Sequence, residues 1–168
     1  MKRLTEERNQ LEAILDGMSE GVLVLDHEGR ILLINPSLLQ ILKLPEEEVI
    51  GRFLEEVIRN YELQEAFGTA AGKNEGLTCE IHFASPGLDL TLVVHIQPIE
   101  KKDRQGGFVA VFYDVSTLKK LESVRRDFVA NVSHELKTPL TTIKGYSETL
   151  LEGALEDSSV SRKFVEII

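Results

Sequence analysis

The chain opens with apolar side chains at seven-residue spacing, Leu4, Leu11 and Met18 with Leu15 between them, set among charged neighbours. This is the pattern of an amphipathic or coiled-coil helix, and over so few heptads it is marginal on its own. Two short β-rich runs come next at 22–25 and 31–34, around Asp26-His27-Glu28-Gly29, which reads as a hairpin turn. Asn35-Pro36 has the form of a helix N-cap with proline at the first helical position, opening a short helix through Leu42. Pro45-Glu46-Glu47-Glu48 predicts another helical turn ended by Gly51, and 53–71 predicts one further helix.

Three strands are predicted next. In 77–83 Leu77, Cys79, Ile81 and Phe83 share one face, and in 88–96 Leu88, Leu90, Leu92, Val94 and Ile96 do the same. The run 108–113 is apolar on both faces and predicts an inner strand covered on both sides. Gly87 and the segment 101–107 supply the turns, with Gly106-Gly107 read as a turn pair. From Ser116 to about Leu151 the pattern becomes helical, with Leu118, Leu121, Val124, Phe128, Val132 and Leu136 at three- and four-residue spacing. So narrow a stripe on a helix of roughly 50 Å needs a partner helix. Gly153 reads as a stop, 156–159 as a fresh cap, and 162–168 as the start of a second helix with Phe164, Val165 and Ile168 on its apolar face. The fold class is α+β, in three parts: an N-terminal helix over 1–19, a mixed domain over 20–115, and a helical unit over 116–168 whose second helix is incomplete.

Charge sharpens that division. The 168 residues hold 19 basic and 28 acidic side chains, a net charge of 19 − 28 = −9. Residues 1–115 hold 11 and 20 of these, and 116–168 hold eight of each, so the whole excess lies before the helical unit. An acidic chain with no Trp and only seven Phe and three Tyr is not a nucleic-acid binder, since it lacks both the cationic footprint and the stacking surface. One cysteine, Cys79, excludes an intrachain disulfide and any Cys-cluster metal site, and fits a reducing compartment. No apolar run approaches the roughly 20 residues a membrane-spanning helix needs, and the charged N-terminus is not a signal peptide, so the chain as given reads as soluble.

His27 lies in a turn, and His82 and His95 lie on polar strand faces; all three read as solvated side chains. His134 has different neighbours, Ser133-His134-Glu135-Leu136-Lys137-Thr138-Pro139-Leu140. A His-Glu-x-x-His zinc motif is ruled out because position 138 is Thr, and with no further ligand nearby no metal site is expected.

These residues carry two resemblances. GVLVLDHEGRILLINPSLLQILKLPEEEVIGR at 21–52, the order of elements, and Asp114-Val115-Ser116 closing the last strand resemble a PAS domain. That implies a five-stranded antiparallel sheet with helices, acting as a sensory or dimerisation module. In that family the acidic residue at the junction, here Asp114, couples the domain to the next helix; equally, Asp114 or Ser116 can serve simply as the helix cap. The segment RRDFVANVSHELKTPLTTIKGYSETLLEG resembles, along its full length, the phosphoacceptor box of sensor histidine kinases. The whole arrangement is most similar to the cytoplasmic part of a phosphate-regulon sensor kinase.

The resemblance implies that His134 is phosphorylated from ATP and passes the phosphoryl group to a response-regulator aspartate, with the kinase–phosphatase balance under PAS control. The residue types suit this role. An imidazole is nucleophilic only on an unprotonated nitrogen, and Glu135 can accept the hydrogen bond of the other N–H, fixing the tautomer. By resemblance the Thr138 hydroxyl orients water for dephosphorylation of the partner. Pro139 removes an amide donor to the Glu135 carbonyl and predicts a kink, hence a hinge.

No cofactor is expected on this chain. It has no glycine-rich phosphate loop, and ATP and Mg2+ are implied for a separate ATP-binding domain beyond Ile168. The expected partners are a second copy in a homodimer, a response-regulator receiver domain approaching the basic stretch 119–144, and the kinase's own ATP-binding domain. The expected setting is the cytoplasmic portion of an inner- or plasma-membrane protein. The alternative is a non-enzymatic PAS and coiled-coil module for dimerisation and ligand sensing. No cysteine-centred flavin motif or inward strand histidine is present, so no PAS ligand is indicated.

Overall fold

A computed structural model of the chain describes residues 2–45, 49–101, 104–152 and 156–167. The element order is α1 (Lys2–Gly17), β1 (Gly21–Leu25), β2 (Ile31–Ile34), α2 (Pro36–Ile41), α3 (Leu54–Val57), α4 (Tyr61–Lys73), β3 (Leu77–Ser85), β4 (Leu88–Lys101), β5 (Arg104–Asp114), α5 (Ser116–Leu151) and α6 (Ser158–Ile167). The chain divides into two compact units, 1–119 and 120–168.

In the first unit all strand pairs are antiparallel and the sheet order is β2-β1-β5-β4-β3. The N-terminal and C-terminal strands of the domain thus meet at its centre, Gly21 opposite Phe112 and Leu25 opposite Phe108. Leu23, Leu25, Ile31, Leu92, Val94, Ile96, Ala110 and Phe112 bury one face, under Leu38 of α2 and Leu63, Phe67 and Ala70 of α4. The Phe67 ring meets Phe108 edge to face at 6.2 Å. Gly21 is dictated by this packing, because a Cβ there would strike Leu38 and Phe112.

Turn chemistry accounts for the local paths. Asp26 Oδ1 accepts the Glu28 and Arg30 N–H groups at 2.8 and 2.9 Å, and Gly29 takes the left-handed φ of +86° that closes the hairpin. Each sheet edge is engaged at one residue by a neighbouring segment. On β2, the Ile31 N–H donates to the Arg52 carbonyl and the Ile31 carbonyl accepts the Gly51 N–H. On β3, the His82 N–H donates to Glu62 and the His82 carbonyl accepts from the Asn60 amide, each at 2.9 Å.

Four expectations change. The single helix at 53–71 is two, α3 and α4, because buried Ile58 adopts an extended conformation and Asn60 restarts the helix by accepting the Leu63 N–H. The segment 101–107 is mostly strand: β4 reaches Lys101 and β5 begins at Arg104, with 102–103 outside the described residues. Gly106 and Gly107 are therefore not a turn pair. They lie where β5 passes over neighbouring backbone, and a Cβ on either would collide with Ile99 or Leu25. Strand β5 is central as expected, but covered on one face only: Phe108, Ala110 and Phe112 are buried, Val109 and Val111 half-buried, and Tyr113 exposed. Its run of apolar residues reflects β-propensity as well as burial. The second helix of the helical unit starts at Ser158, four residues before the expected 162, because the cap is Asp157. Of the helical turn expected at 45–48, residues 46–48 lie outside those described, as does the stop at Gly153.

Candidate phosphoacceptor site

Helix α5 runs from Ser116 to Leu151 with Pro139 inside it and no buried residue along its length. Its start is a built cap: Asp114 Oδ1 accepts the Ser116 N–H at 2.9 Å, and the Lys119 N–H reaches the Val115 carbonyl at 2.9 Å. This bond is the capping role read for Asp114 from the sequence. The sheet is tied to this first turn by Ser116, whose Oγ accepts the Thr91 N–H at 2.9 Å, and by Lys119, whose Nζ lies 2.8 Å from Glu80 Oε2.

Further along, Leu118, Leu121, Val124, Phe128 and Leu136 are more than half exposed and Val132 is 37% exposed, so the stripe read from the sequence lies uncovered on the described helix. In the second unit α6 meets α5 through Tyr146 and Phe164, ring centroids 5.1 Å apart. Asp157 caps α6, accepting the Ser159 and Val160 N–H groups and the Ser159 hydroxyl. The Ser159 hydroxyl foremost, and then the two amides, hold its carboxyl below the usual aspartate range.

His134, Glu135 and Thr138 are exposed. His134 lines an open groove of about 400 Å3 with Lys137, Thr138, Thr141 and Thr142. These positions lie three, four, seven and eight residues on, the spacing that sets side chains on one helix face. Sequence reasoning singled out Thr138 and missed Lys137, Thr141 and Thr142, although the same spacing rule finds them. The hydroxyls divide into two sets. Ser133 Oγ donates to the Val129 carbonyl at 2.7 Å and Thr142 Oγ1 to the Thr138 carbonyl at 3.0 Å. Among the described residues neither the Thr138 hydroxyl nor the His134 ring has such a bond.

The structure does not bring Glu135 onto His134: no hydrogen bond or ion pair joins them among the described residues. Consecutive helical positions lie about 100° apart around the axis and do not face each other. Pro139 leaves the Glu135 carbonyl without its helical donor, yet the helix continues through it.

Elsewhere, the strand histidines are not simply solvated. His82 stands between Thr91 (Nδ1 to Oγ1, 3.3 Å) and Asp89 (Nε2 to Oδ1, 3.5 Å), and half-buried His95 shares a 2.8 Å hydrogen bond with Thr78 and meets the Tyr113 ring edge-on. His27 remains exposed beside Glu28. Burial, and then the charge of Glu62, push the Cys79 thiol up. The described residues hold no group of three or more His, Cys, Asp or Glu side chains able to bind a metal ion, and no described helix is long and apolar enough to cross a membrane.

Residues 9–115 match the family model of the PAS fold, and residues 124–168 match that of the His Kinase A (phospho-acceptor) domain. The chain is 32% identical over 170 residues to the sensor protein kinase WalK of Staphylococcus aureus, covering 96% of this chain and 38% of that protein. The protein of the same name in strain JH9 is also 32% identical, with 26% of its length covered. The chain thus spans well under half the length of the curated relatives it matches. Among solved structures it is similar to the PAS domain of an HTR-like protein from Haloarcula marismortui (TM-score 0.55, 25% identity, 67% of this chain and 95% of that one). It shares its fold also with a PAS domain from Colwellia psychrerythraea (TM-score 0.54, 16% identity, 65% and 97%).

Proposed function

Because this chain belongs to the PAS family and carries a His Kinase A phospho-acceptor domain, we propose that it is the sensory and phosphoacceptor part of a two-component sensor histidine kinase. In this reading His134 takes a phosphoryl group from ATP and passes it to a response-regulator aspartate. The observation that carries the reading is the side-chain state around His134. The ring is exposed and has no hydrogen bond among the described residues, in an open groove, while the hydroxyl of the preceding residue, Ser133, is turned back into the helix.

The unprotonated ring nitrogen attacks the γ-phosphorus, a P–N bond forms, and the bond from phosphorus to the bridging oxygen breaks with its electron pair leaving on ADP. In this reading the chain supplies the acceptor, and the donor and its metal are brought by an ATP-binding domain of the parent protein. Glu135 would fix the ring tautomer only after turning toward it, since catalytic hydrogen bonds often tighten only in the reacting complex. Lys137, one turn from the ring, suits the charge of the arriving phosphoryl group. The unbonded Thr138 hydroxyl suits a water-orienting role in the reverse, phosphatase activity. The interrupted hydrogen-bond ladder at Pro139 suits a hinge between the two activities. The exposed stripe of α5 supports a homodimer, and the basic stretch 119–144 supports docking of an acidic receiver domain. The parent would be a membrane-anchored sensor with this portion in the cytoplasm.

The test supplies radiolabelled ATP, Mg2+ and a separate sensor-kinase ATP-binding domain to the purified chain. Acid-labile, base-stable label is expected on the wild type and none on His134→Ala. Label retained by His134→Ala would sink the assignment.

A further inference from the structure

Two grooves of the first unit differ in charge. The larger, of about 460 Å3, lies between the α3–α4 junction and the tip of the β3–β4 hairpin. Extended Ile58 separates the two helices there, and Gly87 turns the hairpin tip with a left-handed φ of +80°. Leu42, Leu44, Val57, Ile58, Phe83 and Leu88 make the groove apolar. Its lining includes no carboxylate, although residues 1–115 hold 20 acidic and 11 basic side chains. The smaller groove, of about 270 Å3 beside Phe53 and Phe67, is lined by Glu28 and Glu55 instead.

The polar groups of the larger groove divide into engaged and free. The Asn60 amide is engaged by the His82 carbonyl and the Leu63 N–H, and the His82 ring by Thr91 and Asp89. Glu62, close by, accepts the His82 N–H. Arg59 is exposed and has no hydrogen bond or ion pair among the described residues, and neither have the Tyr61 and Ser85 hydroxyls. Lys43 adds a second cation at the rim, between the lining residues Leu42 and Leu44. Its ammonium donates to the Gly87 carbonyl at 2.5 Å and so straps this end of the groove to the hairpin tip. A neutral carbonyl is a weaker partner for an ammonium than a carboxylate is, so an arriving anion has Lys43 as well as Arg59 to pair with.

We propose that this groove binds a single-chain aliphatic carboxylate, with the chain on the apolar floor and the headgroup at Arg59 and Lys43. The size fits, since small-molecule sites run from about 300 to 1,000 Å3. A cationic amphiphile finds no carboxylate in the lining, and an uncharged one leaves Arg59 unpaired. Such a ligand supplies an input for the sensory part of the proposed function. Its binding is measured without phosphotransfer, so the groove and the phosphoacceptor reading of His134 can fail independently.

The test follows amide chemical shifts of the full 168-residue chain during titration with decanoate below its micelle concentration. Saturable shifts are expected at 58–61 and 82–85, in the larger groove, and not at 28–29 or 53–55, in the smaller. Affinity should rise about twofold to fourfold per methylene from hexanoate to decanoate, as more apolar surface is buried. Decylammonium, of equal chain length, should bind about tenfold more weakly or less. Arg59→Gln and Lys43→Gln should each weaken decanoate about twofold to fivefold at an unchanged unfolding midpoint, the range for a solvent-exposed ion pair. Arg59→Lys, which keeps the charge, should restore most of the loss. Equal affinity for decanoate and decylammonium, unchanged decanoate affinity in both Gln variants, or shifts that never saturate or that centre on the smaller groove would each overturn the proposal.

Discussion

The two units handle apolar surface in opposite ways. In the PAS unit Leu23, Ile31, Leu92, Ile96 and Phe112 are 0% exposed, because sheet and helices close over one another within a single chain. On α5 Leu121, Val124 and Phe128 are 63% to 66% exposed, although their hydrophobic spacing is just as regular. A sheet face can be finished by its own helices. A long helix with a narrow stripe has no such means, and its free energy of burial is available only to another chain or another domain. One unit closes its apolar surface within itself, and the other leaves its own to be completed.

The contrast is broken most strongly at its aromatic residues. Phe112→Ala should destabilise the PAS unit by about 3–5 kcal/mol, the usual cost of emptying a fully packed aromatic site. Phe128→Ala should leave that unfolding transition where it is and weaken self-association by about tenfold or more. Urea denaturation together with sedimentation equilibrium checks both, and a stability loss in Phe128→Ala at monomeric concentration would erase the distinction.

Asn35 gives the next effect. Its side chain is buried and makes four contacts: Oδ1 accepts the Val22 and Leu38 N–H groups at 2.8 and 3.1 Å, and Nδ2 donates to the Leu15 and Glu20 carbonyls at 3.2 and 2.9 Å. One residue thereby joins the end of α1, the start of β1 and the cap of α2, helped by Ser37, whose hydroxyl donates to the Met18 carbonyl. Asn35→Ala should cost about 1–3 kcal/mol, since buried backbone groups lose their partners. Ser37→Ala should loosen only α1, seen as faster proteolysis within residues 2–17 at an unchanged unfolding midpoint.

Asn35 also marks how far the sequence could be read. The Asn-Pro pair revealed the cap of α2, because that signal is local. The bonds to Leu15, Glu20 and Val22 were not legible, because they depend on where the chain returns in space. The same division runs through the molecule. Alternation located the strands, and the glycine at 87 located a turn, where it takes a φ of +80°. Gly106 and Gly107 misled, because close backbone approach and turning select the same residue. Helical spacing alone puts His134 and Thr138 on one face, and the same spacing applied further finds Lys137, Thr141 and Thr142. The independence of Glu135 from His134 is a consequence of that geometry too. The grip of Glu80 and Ser116 on the start of α5 was not legible, because it joins residues far apart in the chain.

The smallest effect concerns the end of the second unit. Hydrogen bonds hold the Asp157 carboxyl below its ordinary range in the folded chain, so the ionised form is favoured by folding. The contribution to α6 is fully present above the ordinary aspartate value and disappears as pH falls through the lowered one. Amide shifts of Ser159 and Val160 should report that titration, and Asp157→Asn should abolish it while α6 persists.

The uncompleted helix exists, in this reading, to present His134. The most direct measurement is to locate the phosphoryl group, by fragmentation mass spectrometry at alkaline pH, on the chain labelled by a separate ATP-binding domain. A phosphoramidate on His134 is the predicted result, and an acid-stable ester on Ser133 or Thr138 would contradict it.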